Sequence, residues 1–317
     1  MSLKFSVVVC VYNCSNQDLQ MTLQSILMQN FNDFEIIIAD DCSENDYHSI
    51  VEEELKSYDY VNYCYLRNQE NVGTVKNVIH ALEHCSGKYI KLIGCGDLLF
   101  SEDTLKHVYD YMENNCLSVC FGNGIAYTME NNDFYVRPFY SPNIKKPYSK
   151  NNSEAILRNL IVFNDQISGA ITFHSKEILI TYLNIIKDKI IYVEDCIPKL
   201  IALDGKEIGY LNENLVLYQY GTGISTSQSK SVNWRIINDE QSFNQILFER
   251  YSSNKYVKTL HQFLAHKEKN SILRLTNKIK TNPYYTIYYI FDFYHKKLAN
   301  SKWMMANDLF DRYKGDK

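Results

Sequence analysis

The sequence predicts an α/β protein, a doubly wound and mostly parallel sheet followed by a helical C-terminal extension. Three observations predict it. Strand-like and helix-like segments alternate over the first ~125 residues, the order that builds a parallel sheet with helices on both faces. The strand segments are near-continuous apolar runs, as expected of strands covered on both sides. A carboxylate pair, Asp40-Asp41, closes the second of them, at the strand end where open α/β sheets bind their ligands. Two adjacent acids are costly to bury unpaired, so they are expected to face solvent, a cation or a hydrogen-bonding ligand.

Strands are predicted near 5–11, 34–39, 61–66, 89–93 and 117–121, and helices near 16–29, 44–57, 74–85 and 102–114. The first helix carries Leu19, Leu23, Ile26 and Leu27 at helical spacing. From 124 to 150 the pattern breaks into short aromatic strands and a loop holding Pro138, Pro142 and Pro147. Such a loop is either a mobile lid or a plain surface connection. A second block follows, with helices at 153–162, 175–185 and 194–204 and strands at 168–173, 207–210 and 215–219. Beyond Ser225 the pattern is helical to the end.

The chain of 317 residues, 45% hydrophobic and 22% charged, has the composition of an ordinary globular protein with room for one large core and a smaller second unit. No stretch reaches 18 apolar residues, so no spanning helix is expected. The run Val7 to Val11 is too short for a secretory signal, and the chain is expected to stay in the cytoplasm. Its nine cysteines lack a disulfide framework's spacing and read as reduced thiols packed as small hydrophobes. Residues 251–317 hold 13 Lys/Arg against 5 Asp/Glu, whereas the remainder holds 20 against 32. An acidic body and a basic tail suggest two surfaces with different partners. Nucleic acid is not expected among them, because the basic residues are spread among aliphatics.

The β-α-β opening, Tyr12-Asn13 ending its first strand and Asp40-Asp41 its second, resembles the nucleotide-sugar half of an inverting family 2 glycosyltransferase of the GT-A fold. The resemblance covers roughly residues 4–225 and is strongest over 5–45. It implies a catalytic domain over 1–225, with a nucleotide-sugar-binding half (1–125) and an acceptor-binding half (126–225). Residues 226–317 would form a helical region serving membrane contact or oligomerisation. Tyr12 would stack on a base and Asp41 accept a hydrogen bond from a uracil N–H, which implies a UDP-sugar. Cys10 joins this strand end, and Asp40 would orient the loop. On the residues alone, Tyr12 is equally an aromatic plug and Asp40 a helix cap.

Asn71-Val-Gly-Thr-Val-Lys76-Asn77 resembles the family's Asn-x-Gly segment, implying that Lys76 and Asn77 help bind the donor, Lys76 at its diphosphate. The family's fourth strand ends in a carboxylate cluster that holds Mg²⁺ or Mn²⁺. Here the run is Gly94-Cys95-Gly96-Asp97, so only Asp97 remains. Three alternatives stay open: a metal held loosely by Asp97 and substrate, Lys76 taking over part of the charge neutralisation, or impaired catalysis. Glu194-Asp195 resembles the family's Glu-Asp motif, implying Asp195 as general base and Glu194 as its positioning partner. Ser168-Gly169 would line the acceptor side. The implied reaction is a single displacement with inversion, onto a glycan or lipid-linked oligosaccharide acceptor in surface polysaccharide synthesis.

The tail is dense in aromatic and basic residues between 283 and 305. It suits either the interface of an anionic bilayer or packing on the body or a second copy. Two rivals remain: a non-catalytic nucleotide-sugar-binding protein, and a nucleotidyltransferase. A dinucleotide oxidoreductase is disfavoured, since no Gly-x-Gly-x-x-Gly opens the first helix.

Overall fold

The computed structural model describes residues 3–131, 133–221, 230–265 and 302–313, with isolated positions between 275 and 291. Four parallel strands form its first half: β1 (Phe5–Val11), β2 (Phe34–Asp40), β3 (Tyr63–Arg67) and β4 (Tyr89–Gly94), in the order β4-β1-β2-β3. Val7, Val8 and Val9 of β1 are fully buried because helices cover both faces. These helices are α1 (Asn16–Leu27), α2 (His48–Ser57), α3 (Thr74–His84) and α4 (Thr104–Asn114). α1 starts where the Ser15 hydroxyl accepts the Asp18 N–H at 3.1 Å. The register pairs Cys10 with both Ala39 and Gly94, and Val11 with Asp40. Three strand ends therefore stop at one level, and whatever follows them shares one edge of the sheet.

The second half is mixed. A two-residue strand, β5 (Leu98–Leu99), follows β4; then β6 (Val119–Glu130) folds back on β7 (Asp133–Phe139) as a hairpin. After α5 (Lys146–Ser149) and α6 (Ser153–Val162), β8 (Thr172–Ser175) runs antiparallel to both β4 and β6. Past α7 (Lys176–Ile186) and α8 (Ile197–Leu203), β9 (Gly209–Gln219) lies parallel to β6 and antiparallel to β5. The first four strands thus pair with one another only in parallel, whereas the second half combines antiparallel pairs with the parallel β6–β9 pair.

Three predicted elements differ from those observed. Residues 169–171 form a 3-10 turn before β8, because Ser168 caps it by accepting the Ala170 N–H at 3.3 Å. The strands expected at 207–210 and 215–219 are one strand, β9. Its exposed middle, Asn212-Glu213-Asn214, reads as a loop but spans a register shift against β6. α2 begins at His48 rather than near 44, because Asp40 holds the intervening turn by accepting the Ser43 N–H at 2.8 Å.

The chain continues into α9 (Lys230–Arg250) and α10 (Lys255–Ala265). Much of the aromatic-basic segment 283–305 lies outside the described residues. Of the rest, Ile287 and Phe291 are exposed. The Arg137 guanidinium packs against the rings of both Tyr220 and Trp303, 4.1 and 4.3 Å from their centroids. β10 (Met304–Met305) adds an edge strand to β7, Phe310 stacks on Phe134 at 5.0 Å, and the Tyr313 hydroxyl donates to Leu99 and Phe100 carbonyls. Residues 302–313 therefore pack on the body. No helix among the described residues is long and apolar enough to cross a membrane.

Candidate active site

The shared edge of the sheet opens into two adjoining chambers. The first, about 530 Å³, is lined by Tyr12, Asp18, Asp41, Asn71, Asn77 and Arg235 among others. The second, about 390 Å³, is lined by Asp97, Gln166, Ser168, Gly169, Glu194 and Asp195 among others. Cys10, Thr74, Gly94 and Tyr192 border both, so these residues mark the junction.

In the first chamber Tyr12 is about half exposed (51%), leaving a ring face free for a planar base. Asp41 is buried, and it is well supplied with donors. Its Oδ1 accepts from Asn68 Nδ2 and Val72 N, both at 2.9 Å, and its Oδ2 accepts Gly73 N–H at 2.8 Å. The carboxylate thus holds the Asn71–Gly73 loop while forming part of the chamber lining. Gly73 has φ +83°, and a Cβ there would stand 3.0 Å from the Ile191 carbonyl, so only glycine lets the loop pass. Asn77 is buried and donates to the Ala39 carbonyl at 2.9 Å. Burial pushes the Cys10 thiol up to about 12, helped by the charges of Glu194 and Asp41.

Two of the expected residues lie outside the chamber linings, although Asp40 does hold the Ser43 turn as expected of a loop-orienting acid. Asp40 does not line either chamber; it is fully buried and accepts from Ser43 N and the Tyr65 hydroxyl. The acid pair faces hydrogen-bond donors of the protein itself rather than solvent. Lys76 is exposed and is absent from the lining of both chambers. The first turn of α3 that carries it is rotated so that Thr74 reaches the junction instead.

The Gly94–Asp97 turn is held from α1. Thr22 Oγ1 accepts the Gly96 N–H at 2.9 Å and donates to the Asp97 carbonyl at 3.0 Å. Gly96 has φ +97°, and a side chain there would collide with Gln219, whose amide donates to Asp18 at 2.5 Å. Asp97 Oδ1 accepts the Gln219 N–H at 2.9 Å. Burial raises the Asp97 carboxyl to about 7, opposed by that N–H and by the Lys91 charge.

These groups offer a divalent cation few ligands. Among the described residues no three His, Cys, Asp or Glu side chains cluster as a metal-binding group, and Gln219 fills the space a second acid at 96 would need. The donor set fits only a cation held chiefly by substrate phosphates, with Asp97 as the protein's single contribution.

In the second chamber, Gly169 lies against the acid pair: a Cβ on it would be 3.0 Å from Glu194 Oε1. Both carboxyls keep some surface in the cleft yet are deep enough for burial to raise them. The neighbouring Asp195 raises Glu194 further, whereas Lys199 and a hydrogen bond from Gln166 pull Asp195 back.

Three groups escaped the sequence reading. Lys91, fully buried mid-strand, donates to the Ala170 and Thr172 carbonyls and ties β4 to the segment leading into β8. Burial lowers it to about 7. A lysine inside an apolar strand was the available signal. Asn68 joins Asp41 to Asn77 at 2.9 Å each. α9 supplies Arg235, Ile236 and Glu240 to the cleft lining. Its buried Asp239 accepts three successive backbone N–H groups, from Ile191, Tyr192 and Val193, at 2.7–3.2 Å.

The family model for glycosyl transferase family 2 matches residues 6–174. The chain belongs to that family. It is 32% identical to the GalNAc(5)-diNAcBac-PP-undecaprenol beta-1,3-glucosyltransferase of Campylobacter jejuni over 126 residues, 38% of this chain and 40% of that enzyme's length. It is 21% identical to the glycosyltransferase GlyG of Streptococcus pneumoniae over 74% of this chain and 76% of that one. Among solved structures, Staphylococcus aureus TarS with UDP-GlcNAc matches with a TM-score of 0.51 and 18% identity, covering 87% of this chain and 79% of TarS. The mannosyltransferase PcManGT of Pyrobaculum calidifontis, with GDP-Man and Mn²⁺, matches at 0.52 and 13% identity, covering 95% and 89%. These likenesses give the family 2 chain its GT-A fold.

Proposed function

We propose that this family 2 chain transfers a sugar from a UDP-sugar to a hydroxyl of a glycan or lipid-linked oligosaccharide, with inversion and with Asp195 as general base. One observation carries the reading: Asp41 opens on one chamber, Asp97 and Asp195 on the other, and four residues border both. A nucleotide lying over Tyr12 and against Asp41 has its phosphates at that junction and its sugar before Asp195. The acceptor oxygen then attacks the anomeric carbon while the bond to the diphosphate oxygen breaks. UDP leaves with the electron pair, and the hydroxyl proton passes to Asp195. Alignment in a half-enclosed cleft supplies much of the acceleration.

Burial favours this role for Asp195, since a carboxylate with a raised pKa is a stronger base near neutral pH. Glu194, raised as well, backs Gly169 and so shapes the acceptor wall. A divalent cation resting on Asp97 and the donor's phosphates would add Lewis-acid neutralisation of the leaving group. The Campylobacter relative's lipid-linked glycan supports the acceptor class. The tail's basic surplus and the exposed Ile287 and Phe291 support peripheral contact at the inner face of a membrane.

Asp195→Asn tests the assignment. Transfer should fall by about 10²- to 10⁴-fold, with UDP affinity kept within about threefold, under ~1 kcal/mol. In the wild type, kcat should rise with pH as Asp195 ionises, with its acid limb displaced upward from the usual aspartate range. Full turnover in the variant refutes the base. UDP binding without transfer by the wild type, with or without Mn²⁺, would instead favour the non-catalytic binder that Gly94 and Gly96 suggest.

A further inference from the structure

The cleft has a charge problem. Asp18, Asp41, Asp97, Glu194, Asp195 and Glu240 all line it, and a nucleoside diphosphate brings further negative charge. Among the described residues lining the two chambers, Arg235 of α9 is the one cation. Its guanidinium stands over the ring of Tyr192, 5.5 Å from the centroid. Tyr192 is one of the four junction residues, so Arg235 overlooks the place where base and sugar chambers meet.

That placement is built rather than incidental. One turn farther along α9, Asp239 is clamped by the backbone of 191–193, and the Ile191 carbonyl in turn accepts the Val75 N–H of α3. The helix carrying Arg235 is thereby registered against both the Glu194–Asp195 segment and the Gly73 loop. Arg235 itself is exposed, free to turn toward a ligand. Its planar fork suits two phosphate oxygens at once.

We propose that Arg235 is the diphosphate-binding residue of this cleft, closing on the pyrophosphate from the α9 side and neutralising charge on the leaving UDP. The proposal rests on the donor reading above. It gives the tail's first helix a part in the reaction, where the resemblance had pointed to Lys76.

Calorimetric titration of UDP and UMP into wild type, Arg235→Ala and Arg235→Lys, each in EDTA and again in Mn²⁺, tests it. Arg235→Ala should lose about tenfold or more in UDP affinity in both media and clearly less for UMP, with an unchanged melting temperature. Arg235→Lys, keeping charge without the fork, should fall between. Equal UDP affinity in wild type and Arg235→Ala overturns the proposal alone. So does an equal loss for UDP and UMP, which would mean only a displaced helix. A wild type that binds neither nucleotide sinks the donor reading and the proposal together.

Discussion

The two sides of the cleft use carboxylates in opposite ways. On the wall made from strand ends within the first ~100 residues, Asp40 and Asp41 accept hydrogen bonds from Ser43, Tyr65, Asn68, Val72 and Gly73. Those acids are mainly scaffold: they pin loops, and Asp41 presents only what remains to a ligand. On the opposite wall, Glu194 and Asp195 are lifted by burial, and the scaffold is supplied by a third acid, Asp239, from another helix. An adjacent acid pair in sequence therefore says little about role. The number of donors facing each carboxyl decides whether it is structure or reagent.

The largest effect expected from this contrast is at Asp239. Asp239→Ala strips the acceptor from three backbone N–H groups and should cost about 2–4 kcal/mol of stability. kcat should fall at least about tenfold, because the Glu194–Asp195 segment loses its register. Asp239→Asn, which keeps one acceptor oxygen, should recover part of both. Thermal unfolding and initial rates check this, and a wild-type kcat in Asp239→Ala would break the distinction between the two walls.

At the other end of the scale stands Lys76. Its absence from the lining of both chambers predicts that Lys76→Ala leaves UDP affinity within about twofold, a difference under ~0.5 kcal/mol. A loss matching that of Arg235→Ala in the same titration would reverse the roles given to the two cations.

What was legible in the sequence follows the same division. The strand ends carrying Tyr12, Asp41 and Asp97 were readable because period and strand length fix where a buried parallel strand stops, and parallel register then brings the ends together. Glu194–Asp195 was readable as a pair opening a helix. Lys76 lies outside both linings because a resemblance over a short segment gives the residue type but not the rotation of the first turn, which here follows from Gly73 and the Val75–Ile191 hydrogen bond. Arg235 and Asp239 were missed for a different reason. α9 reads as an ordinary polar helix, and nothing local says that its Asp239 meets a backbone segment 46–48 residues away. The long β9 was hidden by three exposed polar residues at its centre.

The central claim is that one donor spans both chambers, and a structure with an intact UDP-sugar bound to Asp195→Asn tests it most directly. The uracil should lie over Tyr12, the diphosphate at the junction bordered by Cys10, Thr74, Gly94 and Tyr192, and the anomeric carbon facing residue 195 with room for an acceptor hydroxyl between them. A donor held within a single chamber, or with its sugar turned away from residue 195, would contradict the account.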